Sequence, residues 1–178
     1  MRLLIVGVAQ RVWKDLHWND LNNWDGEIMC FKDIGMYYPR SFKYWYINHA
    51  DNIPAMLQIR NEKYKDADGI QAFSSKYEGN HITFSNGSRI ASHAGSGALS
   101  AVCLGDALGF DEILLAGLPM NAGACFYEPE SADRIGKRGS GTPKDEAAWK
   151  RVIPTLNAKV GSVSGNTKKW LTEIYLNT

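Results

Sequence analysis

The stretch HAGSGALSAVCLGDALGFDEILLAGLPM, residues 93–120, limits the fold more than any other part of the chain. A glycine-rich turn, one apolar helix and an apolar run of strand length follow one another in that order. Gly95, Ser96 and Gly97 leave the backbone bare where a helix begins, and the first four amides of a helix have no partner within it. Those amides and the positive end of the helix dipole suit a phosphate or a carboxylate. Ala98, Ala101 and Gly105 share one helix face, where another backbone can approach closely, while Leu99, Val102, Cys103 and Leu104 supply apolar bulk. Such a helix is expected to be largely buried. Gly109 fits the left-handed residue that ends a helix, and Glu112 to Leu118 reads as a strand buried on both faces of a parallel sheet. The same GSG also reads as a plain tight turn with an N-cap serine.

Further candidates fit the same pattern. Leu3 to Val6 is a short apolar strand closed by Gly7, and Val8 to Asn23 has room for a short helix. Glu27 to Phe31 and Tyr44 to Asn48 are strand candidates, and Pro54 opens a helix through about Tyr64. Gly69 to Phe73 and His81 to Phe84 are shorter strands. Residues 129–142 have no hydrophobic period and read as a mobile loop. Thr142, Pro143 and Asp145 make a helix start, with Trp149 and Ile153 on its buried face until Pro154 interrupts it. Ser164 or Asn166 caps a last helix carrying Trp170, Leu171 and Ile174 on one side. Strands alternating with helices predict a three-layer α/β/α, Rossmann-like fold with a mostly parallel sheet. The 178 residues are expected to form one domain, with a nucleotide-binding core over 1–120 and a mobile loop plus C-terminal helices over 121–178.

Charge and cysteine usage exclude several classes. Twenty basic against nineteen acidic side chains give no global field to draw in nucleic acid or an anionic membrane. Three cysteines, Cys30, Cys103 and Cys125, are an odd number at wide spacing, which favours reduced thiols over a disulfide scaffold. No apolar run approaches the length of a membrane helix, and Met1 and Arg2 lead straight into a strand. A soluble, cytoplasmic protein is expected, with a homo-oligomer left open. Neither a Walker lysine motif, a nucleophile elbow, HExxH nor a paired CxxC is present, and no metal-ligand spacing is evident.

In parallel sheets, ligands sit outside the carboxyl ends of the strands at a topological switch point. That rule selects Gly7 to Arg11 (with Gln10), Asp33, His49 with Asp51, Gly95 to Gly97, and Gly117 to Asn121, including Met120. Asp33, His49 and His93 are the candidate catalytic groups, the histidines because they titrate near neutral pH. Each also reads as an ordinary polar turn residue. Lys137 and Arg138, with Arg134, lie in the glycine-rich loop and are expected to close over an anionic ligand; a solvated loop is the alternative. Tyr37, Tyr38, Trp45 and Tyr46 form an aromatic cluster that suits either base stacking or a core.

At these residues the chain resembles the Rossmann-type group that includes bacterial sialyltransferases related to the Campylobacter enzymes and the pterin pyrophosphokinase-like proteins of the archaeal methanopterin pathway. GSGALSAVCLGDALGFDEILLAGLPM is similar to that group's helix start and following strand over its whole length, and LLIVGVAQRVWKDL is similar to its first strand and turn. DIGMYYPRSFKYWYINHADNIP resembles uncharacterised phage and prophage members of the same superfold. The likeness spans about residues 1–120. It implies a nucleotide or nucleotide-sugar site, with Gly7, Ser96 and Gly97 at nucleotide-contacting positions. Val8 and Arg11 stand where the family has asparagine and serine. Gly117-Leu118-Pro119 replaces the family's GxD, and no histidine follows His93, so the family's histidine-based sialyl transfer is not expected.

Two classes of function are therefore open. One is a glycosyl- or phosphoryl-transferase using a nucleotide-activated donor. The other is a non-catalytic phage or prophage protein that binds or sequesters a nucleotide, or serves as an interaction module. Turnover of the donor separates the two.

Overall fold

The computed structural model describes residues 1–78, 81–91, 96–121, 125–127 and 141–176. Six strands form one parallel sheet: β1 (Arg2–Val6), β2 (Glu27–Phe31), β3 (Tyr44–Tyr46), β4 (Gln71–Phe73), β8 (Glu112–Ala116) and β9 (Lys159–Ser162), in the order β4-β3-β2-β1-β8-β9. Between β4 and the next helix stands a separate three-stranded antiparallel sheet of β5 (Ser75–Glu78), β6 (His81–Phe84) and β7 (Arg89–Ala91). His81 to Phe84 is thus a strand as expected, but it pairs in this small sheet.

Side chains alternate across β1 with the strand period of two. Leu3 and Ile5 face the layer of α3 (Gly97–Ala107), α4 (Pro143–Val152) and α5 (Gly165–Leu176). Leu4 and Val6 face α1 (Val12–Trp18) and α2 (Ile53–Tyr64). All four are fully buried. The result is a three-layer α/β/α Rossmann-like fold. Tyr38, Trp45 and Tyr46 belong to its core, whereas Tyr37 is 40 % exposed.

Local chemistry sets the helix ends. Ser96 caps α3 by accepting from the Leu99 amide at 3.4 Å. Gly109 follows that helix with a φ of +84°, as the left-handed position requires. Gly105 brings α3 down on sheet side chains, not on another backbone: a Cβ there would lie 2.9 Å from both Leu3 and Ile113. Thr142 and Asp145 form a reciprocal capping box at the start of α4. Trp149 and Trp170 then meet in the core with ring centroids 6.3 Å apart. Among the described residues, no helix is long and apolar enough to cross a membrane.

Burial also controls the thiols. It pushes the Cys30 thiol well above its ordinary range and raises Cys103 to about 12, with Asp106 adding to the second shift. Both stay protonated in the native state at pH 8, so iodoacetamide is expected to label them only after denaturation, as read by mass spectrometry of the intact protein. Labelling of Cys103 in native buffer contradicts this. Because folding raises the pKa, the associated stability is intact below the ordinary thiol value of about 8.5 and is lost as pH climbs from there toward about 12.

Candidate active site at the carboxyl edge of the sheet

The chain leaves β1 toward β2 and returns on its other side at β8, so the switch point lies between the carboxyl ends of β1 and β8. The protein closes this crevice itself. The Gly7 amide donates to the Ala116 carbonyl at 2.8 Å, and the Ala9 amide to the Gly117 carbonyl at 3.0 Å. A Cβ on Gly7 would sit 2.3 Å from the Leu118 side chain, and one on Gly117, at φ +67°, 2.5 Å from Val12. Both glycines therefore let two strand ends and α1 approach closely.

A buried carboxylate completes the seal. Asp15, 1 % exposed, accepts from the Gly117 amide at 3.0 Å and the Ser164 hydroxyl at 2.6 Å through one oxygen, and from Arg11 Nε at 2.8 Å through the other. This ties the first turn of α1 to the end of β8 and the start of α5. Arg11 remains 45 % exposed at the rim, and Gln10 beside it is also exposed.

The segment after β8 is similarly engaged. Thr167 donates to the Leu118 carbonyl at 2.8 Å, Asn166 Nδ2 to the Met120 carbonyl at 3.1 Å, and the Asn166 amide to Asn121 Oδ1 at 2.9 Å. Met120 itself takes a left-handed φ of +51° and packs against the core. These residues anchor α5.

The ends of β2 and β3 are arranged differently. The start of α3 lies over them: a Cβ on Gly97 would meet both side-chain ends of Asn48 at 3.0 Å and the Phe31 ring at 3.1 Å. Among the described residues Asn48 Oδ1 is buried with no hydrogen-bond partner, an expensive state for an acceptor. Asp33 sits in the 3-10 turn Lys32–Met36 just past β2, and His49 opens the next turn just past β3. His49 and Asp51 are both exposed, and no hydrogen bond joins them among the described residues.

Residues 125–127 cross above the end of β1. Cys125 bridges Ala9 in antiparallel fashion, and the Phe126 amide donates to the Val8 carbonyl at 2.9 Å. Tyr127 then donates its hydroxyl to Asp33 Oδ2 at 2.6 Å. Burial of the ring and the facing Asp33 carboxylate hold the phenol protonated well above its ordinary range.

Gln10, Arg11, Asp33, His49, Ser96 and Gly97 thus lie on the carboxyl side of the sheet, while Gly7, Gly117 and Met120 serve its closure. His93, Gly95, Lys137 and Arg138 lie outside the described residues, as do residues 129–140 of the expected closing loop. A groove of about 420 Å³ lies elsewhere, where Trp24, Leu114, Lys159 and Tyr175 flank β8 and β9. Sequence reading passed over Asn48, Asp15 and Tyr127. Asp15 carried a usable signal, since Val12, Asp15 and Leu16 fall on one face of a helix at i, i+3 and i+4.

No family model matches the chain, and no curated protein matches it. Among solved structures it is similar to the sialyltransferase CstII from Campylobacter jejuni, determined in complex with the substrate analogue CMP-3FNeuAc. The TM-score is 0.56 at 13 % sequence identity, over 93 % of this chain and 81 % of that one. At that identity the likeness establishes a shared fold.

Proposed function

We propose that this protein binds a nucleotide or nucleotide-sugar at the carboxyl ends of β1 to β3 and acts as a transferase on that activated donor. The observation that carries the reading is the Asn48 carboxamide oxygen, buried and, among the described residues, unpartnered beside the start of α3, where Gly97 is half-buried. A ligand with an anionic group for the helix start and an N–H or O–H for Asn48 satisfies both at once. A nucleotide-sugar has both. Arg11, held by Asp15 through its Nε and 45 % exposed, is the cation available at this edge as a further anion contact. Asp33 and His49 are the strand-end groups available to orient a hydroxyl or take its proton. Support also comes from the fold, since the sialyltransferase that shares it was analysed in complex with the substrate analogue CMP-3FNeuAc.

Gly97→Val tests this site directly, because the added side chain enters the space beside Asn48 and Phe31. A thermal-shift screen of CMP, UMP and their sugar conjugates is expected to show stabilisation of the wild type, about 2.7 kcal/mol at a hundredfold excess over Kd. The variant loses that response while keeping a cooperative melt. An equal shift in both proteins overturns the site.

A second reading, a binder without turnover, is favoured by Gly117 and Met120 being engaged in the protein's own closure. Incubation with the responding donor separates the two. A transferase consumes it, and a binder returns it intact on denaturation.

A further inference from the structure

Three large aromatic side chains stand partly open to solvent at the rim of the site: Trp13 at 39 %, Tyr37 at 40 % and Tyr127 at 46 %. They come from α1, from the turn after β2 and from residues 125–127, yet they converge on one ring. Phe126 makes edge-to-face contacts with all three, at centroid distances of 5.7, 5.5 and 5.0 Å. It therefore covers only part of each. Asp33 borders the group through Tyr127, which donates to Oδ2; among the described residues no hydrogen bond is made to Oδ1, a further acceptor. The Lys63 ammonium lies 5.5 Å from the Tyr37 ring centroid.

We infer that this aromatic surface is a binding site for a sugar ring, with Trp13 and Tyr37 taking its C–H face and Asp33 its hydroxyls. A pyranose is apolar on its C–H face and ringed by hydroxyl donors at its edge. Open aromatic rings bordered by a carboxylate match both parts. A contiguous apolar patch with a polar border, beside a candidate active site, is the usual mark of ligand contact. The inference rests on the proposed transferase reading only for the sugar's role as acceptor; binding itself does not depend on it.

Saturation-transfer NMR with maltose, lactose and chitobiose tests the site in wild type, Trp13→Ala and Tyr37→Ala, with melting curves to verify folding. Ring C–H protons of at least one sugar are expected to receive saturation, and each variant weakens its binding about tenfold. CMP, titrated into the same samples, responds equally in all three proteins. No transfer to any of the three sugars, or transfer that survives both substitutions, overturns the inference whether or not CMP binds. So does loss of CMP base-proton signals in Trp13→Ala, which means the rings stack on the base. A wild-type dimer that Trp13→Ala dissolves overturns it too, by placing a second copy on the patch. Sugar transfer without CMP binding upholds the sugar site and overturns the nucleotide site alone.

Discussion

Arg60→Ala is expected to destabilise the protein by about 3–5 kcal/mol, enough to remove much of the stability of an ordinary domain. Arg60 lies on α2 with no exposure at all, and every part of its guanidinium is engaged. Nε and one terminal nitrogen grip Asp66 at 2.7 and 2.5 Å. The terminal nitrogens also donate to the carbonyls of Gly35, at 3.2 Å, of Arg40, at 3.0 Å, and of Tyr38. The cation lies over the rings of Phe42 and Tyr64. Alanine removes the Arg60 donors from those carbonyls and from the Asp66 carboxylate and opens a cavity under two aromatic rings. The clamp braces the segment between β2 and β3, which carries Asp33 and Tyr37 to the rim, so a rescued, folded variant should also show a disturbed site. Urea denaturation measures the cost. A loss below about 1 kcal/mol means the side chain is not clamped as described.

Asp15→Ala has the second largest expected effect, about 2–4 kcal/mol. The main loss is two buried donors, the Gly117 amide and the Ser164 hydroxyl, left without their acceptor. The ion pair adds little, because Arg11 is 45 % exposed and water screens it. Arg11→Ala should therefore cost less than about 1 kcal/mol while weakening nucleotide affinity. Paired denaturation curves of the two variants decide the matter. Equal losses mean that the ion pair, and not the buried acceptor, holds the crevice shut.

The elements read most clearly from sequence are those whose signal is local. The apolar period of β1, β2 and β8, the Ser96 and Thr142 caps, Gly109 and Pro54 each act within a few residues, and the structure places them accordingly. β9 went unread because an edge strand with Val160 as its buried residue carries almost no pattern. The small antiparallel sheet was half-read, since pairing partners are not written into a single strand. Buried charges were the larger gap. Arg60 shares the inward face of α2 with Met56, and Asp15 that of α1 with Val12; Asp66 and Arg11 are close in the chain, but the Gly35, Tyr38 and Arg40 carbonyls, the Gly117 amide and the Ser164 hydroxyl are not. Ser164 is 149 residues from Asp15. At the candidate site, strand ends were legible from topology alone, whereas the closure of β1 on β8 depends on how Leu118 and Val12 pack against two glycines. That closure moves the open part of the edge toward β2 and β3.

Amide NMR during a CMP titration tests the central claim most directly. Binding at the start of α3 is expected to shift the backbone amides of Gly97 and Ala98 and the side-chain amide of Asn48, while signals near Trp24 and Tyr175 stay in place. Shifts confined to the groove between Trp24 and Tyr175, or none at saturating CMP, contradict a nucleotide site at the carboxyl edge of this sheet.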